Sequence, residues 1–307
     1  MFGKRADGKR IRNIDPIVSL TPYLMPMRCD AQVMMDFKVD FEKLTRYIAA
    51  KREEGYQITF LEILIAAFVH TVAEIPEANR FIVNKQLYAR KDLTVAFTVL
   101  KEGSSGVNVE ENTVKCKFLA TDTIFDVTDR VKKAVEQSKK EEADNATMKI
   151  AKVLANPLLA NPLVALVRFL DRVGLLPGAI VDASPFHTSV FMTNMASIGM
   201  PAVKHHIYNF GTTSMFFSIG MVERTTGVGP DGKAVRKRML PLGVVADERI
   251  CAGAVYARLV DGIIKGLNDP SILEKPAENI RYEEVTAYRL DKAEEKRLQE
   301  AQKHITA

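Results

Sequence analysis

The segment TFLEILIAAFVHTVAEI, residues 59–75, carries apolar side chains on nearly every face of a helix. A helix that is apolar all round is stable only when other parts of the chain bury it completely. Thr59 is the candidate N-cap, and Pro76 predicts where the helix ends. The chain has 307 residues, of which 47% are hydrophobic, so it can build a core around this helix as one large domain or two small ones.

Strand-like and helix-like segments alternate around the apolar helix. QVMMDFKVDFEKL begins as a strand and turns helical after Asp40, a favourable N-cap. RFIVNKQLYAR is predicted to be strand-like and broken by a polar turn around Asn84-Lys85. Further strands are predicted for DLTVAFTVL, TVKCKFLAT, TSVFMTNMASIG, SMFFSIGMVERTT and RKRMLPLGVVAD, and further helices for IFDVTDRVKKAVEQSKKEE, 145–176 and 253–266. This order predicts an α/β two-layer sandwich with a mixed β-sheet. A doubly wound dinucleotide-binding fold is excluded because GVGPDG lies in a predicted hairpin turn, not before a helix.

Composition divides the chain into a basic segment at 1–20, a globular domain at 21–274 and a charged, helix-prone tail at 275–307. The tail alternates acidic and basic residues, which is typical of an exposed helix that can pack on a neighbouring subunit. Charged residues interrupt the apolar face of the stretch 145–176, which favours a core or subunit interface over a membrane.

Several classes of function are disfavoured. The net charge of +5 is spread over both signs without a basic stripe and interleaved aromatic residues, which argues against a nucleic-acid partner. Cys29, Cys116 and Cys251 lie in no metal-like spacing, and three cysteines fit a reducing cytosol better than a disulfide framework. No segment reaches the ~18 apolar residues of a membrane span, and the N-terminus lacks the apolar core of a signal peptide. We therefore expect a cytoplasmic protein without a metal site.

The stretch MLPLGVVADERICAGAVYARLVDGI places a strand, a charged loop and a helix in succession. It resembles the C-terminal signature of the catalytic domain of dihydrolipoyl acyltransferases, the core subunits of 2-oxoacid dehydrogenase complexes, whose fold is shared by chloramphenicol acetyltransferase. The family signature reads Asp-His-Arg-x-x-Asp-Gly-Ala, and Asp247, Arg249, Gly253 and Ala254 match it.

Two further segments extend the resemblance to roughly residues 20–270. VFMTNMASIG resembles the family strand Phe-Thr-Ile-Ser-Asn-Leu-Gly, with Thr193 at the serine position and Asn194 at the asparagine. MMDFKVDFEKL and TFLEILIAAFVHTVAE resemble the family's opening strand and two helices. The resemblance implies a chloramphenicol acetyltransferase-like sandwich and a homotrimer whose active sites lie between subunits, one of which supplies the loop 247–253.

Two positions of the signature differ from the family. Glu248 replaces the histidine, which in the family is the general base that takes a proton from a thiol, and Ala252 replaces the aspartate that helps hold the loop. A free glutamate has a pKa of about 4.3 and a thiol about 8.5, so full proton transfer to glutamate is uphill by ~5.7 kcal/mol. Burial raises a carboxyl pKa and can close that gap. Glu248 is thus a candidate base, or else it forms a structural ion pair with Arg249 or with another basic group.

The resemblance also assigns roles to other residues. Thr193 keeps the hydroxyl that donates to the oxyanion of a tetrahedral intermediate, although a β-branched residue also simply suits a strand. Asn194, Arg249 and Cys251 are candidate substrate-binding residues, while Asp247 and Gly253 are structural parts of the motif. For Cys251, a buried small residue is a more common role than a nucleophile activated by Arg249.

Histidines elsewhere offer alternative bases. His187 enters the strand that carries Thr193, and the pair His205 and His206 partly imitates the His-His-x-x-x-Asp-Gly motif of chloramphenicol-type acyltransferases, with Phe210 at the aspartate place. We interpret the pair chiefly as loop residues. His70 lies on the apolar helix, where a satisfied core histidine is the more common role.

The resemblance implies a stand-alone acyltransferase that moves an acyl group between coenzyme A, as acyl-CoA, and a thiol or another small acceptor. The chain carries no lipoyl arm of its own, so a lipoyl carrier protein would have to act in trans. The alternative is a catalytically inactive homologue that serves as a trimeric coenzyme A-binding, regulatory or structural protein.

Overall fold

The structure is a computed structural model that describes residues 5–100, 111–142, 156–228 and 231–283. The strands within these ranges are β1 (Gly8–Arg10), β2 (Gln32–Asp40), β3 (Arg80–Val83), β4 (Gln86–Arg90), β5 (Leu93–Leu100), β6 (Glu111–Phe118), β7 (Val190–Asn194), β8 (Met215–Ile219), β9 (Glu223–Val228) and β10 (Ala234–Asp247). The α-helices are α1 (Pro16–Leu24), α2 (Phe41–Glu53), α3 (Phe60–Glu74), α4 (Ile124–Glu142), α5 (Pro157–Val173), α6 (Gly178–Ala183) and α7 (Gly253–Asn268).

Seven strands form one mixed sheet in the order β2-β10-β8-β7-β5-β6, and β9 pairs with the first half of β10. The β5–β7 and β7–β8 pairs are parallel, and the other pairs are antiparallel. A smaller antiparallel sheet contains β1, β4 and β3. The predicted α/β architecture with a mixed sheet is therefore confirmed.

The central strands alternate between two apolar faces. Val190 and Met192 point into the main core with the helices, whereas Phe191 points to the opposite face. On that opposite face one residue from each of four strands forms a row, Ala96, Phe191, Phe216 and Val245, which is paired across the sheet in register and is covered by Ile207. Burial on both faces makes these strands apolar and rich in aromatic and β-branched residues.

The apolar helix α3 is buried along nearly its whole length, as predicted. Thr59 caps it, and the Glu62 carboxylate accepts a hydrogen bond from the Thr59 backbone N–H at 2.7 Å, which completes a capping box. Burial raises the pKa of Glu62. Pro76 follows one residue beyond the C-cap, where it cannot continue the helix.

Three predicted elements differ in the structure. SMFFSIGMVERTT forms two strands, β8 and β9, which pair with successive parts of β10 and are interrupted at residues 220–222; at Gly220 a side chain would collide with the Ala202 backbone. The strand predicted over TSVFMTNMASIG ends at Asn194 and continues as a 3-10 helix at Met195–Ile198. Of the helix predicted for 145–176, α5 is observed, and residues 145–155 lie outside the described ranges.

The N-terminal segment joins the fold from residue 5 onward. Strand β1 pairs with β4, and the buried Arg5 forms ion pairs with Asp7 and Asp171. Helix α1 begins with an Asp15 cap and Pro16 in its first turn, a favourable start that was not predicted from the sequence. At the other end, Ala277 packs against α3, while 284–307 lie outside the described ranges.

Candidate functional site

The loop of the signature begins where β10 ends and leads directly into α7. Asp247 is fully buried and accepts hydrogen bonds from Arg249 on both carboxylate oxygens, each at 2.7 Å. Arg249 in turn donates to the backbone oxygen of Met25 at 2.9 Å and of Pro26 at 3.3 Å. A bidentate arginine–carboxylate pair has a fixed planar geometry, so it sets the direction of the loop relative to the segment after α1.

Arg28 is a third member of this buried group, and it was not predicted from the sequence. Its Nε lies 3.4 Å from the Asp247 carboxylate, and its other nitrogens donate to the backbone oxygens of Tyr208, Ile82 and Gly211 at 2.6, 3.2 and 3.2 Å. Burial lowers the pKa of Arg28, because its charge in the core is incompletely compensated. Arg28 therefore connects its own segment, strand β3 and the loop before β8 to the end of β10.

Glu248 is the exposed residue between Asp247 and Arg249, which are both buried. Its backbone N–H donates to the Ala31 backbone oxygen at 2.9 Å, which fixes the main chain. The guanidinium of Arg249 is taken by Asp247, so the structural ion pair with Glu248 that the sequence allowed is absent from this part of the chain. The Glu248 carboxylate therefore remains available to a ligand or to a second protein chain.

An apolar cleft of about 660 Å³ opens beside Glu248. One wall is a face of α1 that includes Ile17 and extends to Met25, the second consists of side chains that project from β2, and the third is the first two turns of α7. A cleft of this size falls within the range of small-molecule sites. Arg249 and Cys251 also border it, and their role in substrate binding stays a prediction.

Cys251 is buried, and burial raises its pKa to about 12. A thiol with such a pKa stays protonated at neutral pH and is a poor nucleophile. The neighbouring Tyr256 hydroxyl donates to the Asp247 backbone oxygen at 2.5 Å, and burial raises its pKa well above the ordinary value. The side chains of Cys251 and Tyr256 are therefore both uncharged at neutral pH.

Ala252, which replaces the motif aspartate, is the N-cap of α7. Its φ and ψ of −67° and 155° are typical of an N-cap, but its side chain has no oxygen to accept a hydrogen bond from the first turn. Gly253 begins the helix, and a Cβ there would contact nothing within 4 Å. The substitution thus leaves an uncapped helix beside Glu248.

Thr193 and Asn194 lie at the other end of the sheet from this loop. Thr193 of β7 pairs with Ser218 of β8, and Ser218 pairs with Gly243 of β10. Glu248 lies five residues after Gly243. Five residues of strand span roughly 16 Å, and within one chain the two side chains therefore cannot act on the same atom.

The end of β7 has its own polar groups. The Thr193 hydroxyl lies 3.1 Å from that of Thr98 and is half-buried. The side-chain oxygen of Asn194 is buried without a hydrogen-bond partner among the described residues. A buried oxygen without a donor is uncommon, which favours a donor that the described residues do not supply.

The three alternative histidines contact residues outside the loop 247–253. His187 is buried, with Nδ1 at 2.8 Å from the Ser184 hydroxyl and Nε2 at 3.4 Å from Asp171. The His205 ring stacks on Phe216 at 4.4 Å, and its Nδ1 lies 2.7 Å from the His206 backbone oxygen. These contacts give the rings structural roles, and within the described ranges none of the three is hydrogen-bonded to Glu248.

No protein-family model matches the chain, and no curated protein matches it. Solved structures do match. A probable dihydrolipoamide acetyltransferase from Listeria monocytogenes 4b F2365 aligns with 84% of this chain and 94% of its own, at 15% identity and a TM-score of 0.50. The cubic core of the pyruvate dehydrogenase multienzyme complex aligns with 86% and 94%, at 15% identity and a TM-score of 0.50. A chloramphenicol acetyltransferase aligns with 85% and 99%, at 11% identity and a TM-score of 0.50.

The chain has the chloramphenicol acetyltransferase-like fold. The resemblance inferred from the signature loop therefore holds at the level of architecture. At these identities the likeness extends to the fold and not to the chemistry, so the roles of Glu248 and Thr193 stay predictions.

Two properties of the described residues bear on other classes of function. None of their helices is both long and apolar enough to span a bilayer. No group of three or more His, Cys, Asp or Glu side chains within the described ranges is arranged to hold a metal ion.

Proposed function

We propose that the protein is an acyltransferase that moves an acyl group from acyl-CoA to a thiol or another small acceptor. The observation that carries the proposal is the position of Glu248. Its carboxylate is exposed and unpaired among the described residues, at the mouth of an apolar cleft, on a loop fixed by buried ion pairs. The other charged residues of the loop form ion pairs within the protein, which leaves the Glu248 carboxylate as the group that is suited to act on a ligand.

Glu248 is the proposed general base. To take a proton from a thiol it must be shielded from water, because desolvation raises the pKa of a carboxyl group. The described chain leaves it exposed, so the shield is the bound substrate together with a second subunit. The acceptor thiolate then attacks the thioester carbonyl carbon, the bond from carbon to coenzyme A sulfur breaks, and the leaving thiolate recovers the proton from Glu248.

The proposed assembly is a homotrimer, in which the Thr193 end of one subunit meets the Glu248 end of the next. The separation of these two ends within one chain supports this arrangement, as does the buried Asn194 oxygen, which has no donor among the described residues. Exposed apolar side chains on α5, such as Leu158 and Phe169, are a further surface for contact between subunits.

The direct test is acyl-CoA turnover by the wild type and by Glu248→Gln. We expect the substitution to lower kcat by about 10²–10³-fold, as for the loss of a general base. Equal, background-level rates in both proteins would refute acyl transfer.

A mixing experiment tests the shared site. Thr193→Val and Glu248→Gln are each expected to be nearly inactive, but trimers reassembled from both contain intact sites. Random mixing restores about a quarter of wild-type activity when each site takes one group from each of two neighbours. Activity that stays at the level of the separate variants would contradict the shared site.

The second candidate function is an inactive homologue that binds coenzyme A for regulation or assembly. The exposure of Glu248 favours it, because an exposed carboxylate is a weak base towards a thiol. Calorimetry that detects coenzyme A binding without turnover would support this candidate. Gain of turnover in the double variant Glu248→His with Ala252→Asp would show that the scaffold is competent and the native loop is not.

A further inference from the structure

The cleft beside Glu248 is built from three apolar faces. Val33, Met35 and Phe37 alternate along β2, so that all three project to one side of the sheet. Ile17 and Met25 line the cleft across the opening, from α1 and its C-cap. These faces do not fill the space between them. Ile17 is 77% exposed, so a ligand that covered its side chain would bury apolar surface and be stabilised by that burial.

The polar groups of the lining are engaged within the protein. The side chain of Arg249 is 2% exposed and donates to Asp247, Met25 and Pro26. The Tyr256 hydroxyl donates to a backbone oxygen, and the Cys251 thiol is buried. What remains at the mouth is the carboxylate of Glu248. The cleft therefore offers a ligand an apolar interior and one anionic group at its entrance.

We propose that this cleft holds the apolar acyl chain of the substrate, so that the transferred group is a medium-length acyl chain rather than acetyl. The inference rests on the proposed acyl transfer, because the reacting carbonyl then lies at Glu248 and the chain extends between α1 and β2. An apolar chain with an uncharged polar head matches an apolar interior whose free polar group lies at the entrance.

The length of the cleft limits the length of the acyl chain that it can hold. Val33 to Phe37 spans about 13 Å of strand, and Ile17 to Met25 spans about 12 Å of helix. An extended chain advances about 1.2 Å per bond, since three backbone bonds cover ~3.6 Å. The cleft therefore accommodates about ten carbon atoms.

The charge at the mouth selects the form of the ligand. A free fatty acid would place its carboxylate beside that of Glu248, and the one basic residue of the lining, Arg249, is already engaged. Like charges that are close together repel, and a carboxylate that loses water without gaining a donor is destabilised. An uncharged thioester or ester does not meet this penalty.

Isothermal titration calorimetry of the full-length protein with acetyl-, hexanoyl-, decanoyl- and tetradecanoyl-pantetheine tests whether the cleft binds the acyl chain. Affinity is expected to rise by about twofold to fourfold per buried methylene and to level off at about ten carbons. Methyl decanoate is expected to bind about fivefold to tenfold more tightly than decanoate, and Glu248→Gln to narrow that ratio. Affinity that does not depend on chain length would overturn the proposal.

Two matched variants locate the site. Ala257→Phe fills the cleft from α7 and is expected to reduce decanoyl-pantetheine affinity to that of the acetyl ligand. Ala254→Phe adds the same ring to an exposed position of α7 that does not line the cleft, and should leave the chain-length dependence intact. A chain-length dependence that survives Ala257→Phe would refute this location.

The titration can refute the acyl-chain site without refuting acyl transfer, and the turnover assay can refute acyl transfer without refuting the acyl-chain site. Turnover of acetyl-CoA with no chain-length dependence of binding would overturn the chain site and leave acyl transfer standing. Binding that depends on chain length, with no turnover of any acyl-CoA, would support the chain site and refute the transfer.

Discussion

Arg28 places its Nε 3.4 Å from the buried carboxylate of Asp247, although the two residues lie near opposite ends of the chain. The contact brings the segment after α1 to the end of β10, beside the loop that presents Glu248. The same guanidinium also donates to backbone oxygens of β3 and of the loop before β8. Arg28 thus links the N-terminal part of the chain to the candidate site.

Arg28→Met removes this link while it keeps much of the side-chain volume. We expect a loss of about 3 kcal/mol in the free energy of unfolding, because the buried Asp247 carboxylate loses an ion-pair partner and three backbone carbonyl oxygens lose a donor. Urea denaturation followed by circular dichroism measures the change. Arg224→Met, at an exposed position of β9, is the matched control and should change stability by less than ~0.5 kcal/mol.

The lack of a capping oxygen at Ala252 predicts a stabilising substitution. In Ala252→Asp the backbone already has the angles of an N-cap, and the new carboxylate would accept hydrogen bonds from the first turn of α7, so we expect a gain of about 1 kcal/mol. Ala252→Leu, which fits the same backbone but has no acceptor, should give no such gain. A melting temperature that rises equally in both variants would contradict the capping explanation.

The sequence predicted the parts of the fold that depend on local pattern. The polar turn at Asn84-Lys85 has positive φ at both residues and joins β3 to β4, and Asp40 and Thr59 cap the helices that they were expected to cap. The positions of Asp247 and Gly253 at a strand-to-helix junction also followed from the motif.

The sequence did not predict contacts between distant segments. Nothing near Arg28 indicates that it pairs with Asp247, since tertiary packing alone brings them together. Helix α1 was missed despite a local signal, because Asp15 followed by Pro16 is a favourable helix start. The cleft could not be inferred either, because its walls come from three elements that no sequence pattern relates.

The environments of the cysteines predict their reactivity. Cys29 is exposed, whereas Cys251 is buried and has a pKa raised to about 12 by that burial. We expect iodoacetamide at pH 8 to label Cys29 within minutes, and Cys251 at least about 10²-fold more slowly unless the protein unfolds. Peptide mapping by mass spectrometry reads both sites in one sample, and Cys116, buried with a pKa also raised to about 12, is the internal control. Fast labelling of Cys251 in the native protein would contradict its assignment as a neutral group.

The buried cluster of Arg5, Asp171 and His187 predicts how stability depends on acid. Burial by itself would raise the pKa of Asp171, but the close contact with His187 and the charge of Arg5 outweigh burial and hold the pKa below its ordinary value. A carboxyl group whose folded pKa is lowered stabilises the protein above its unfolded pKa, about 3.9, and this contribution disappears as pH falls through the folded value.

Asp171→Asn removes that titration. We expect the variant to be less stable than the wild type at pH 7 and the difference between them to shrink as pH falls below about 4. Urea midpoints measured from pH 3 to pH 7 test the sign, with the exposed Asp231→Asn as control. A difference that stays constant over this range would show that Asp171 acts by packing and not by its charge.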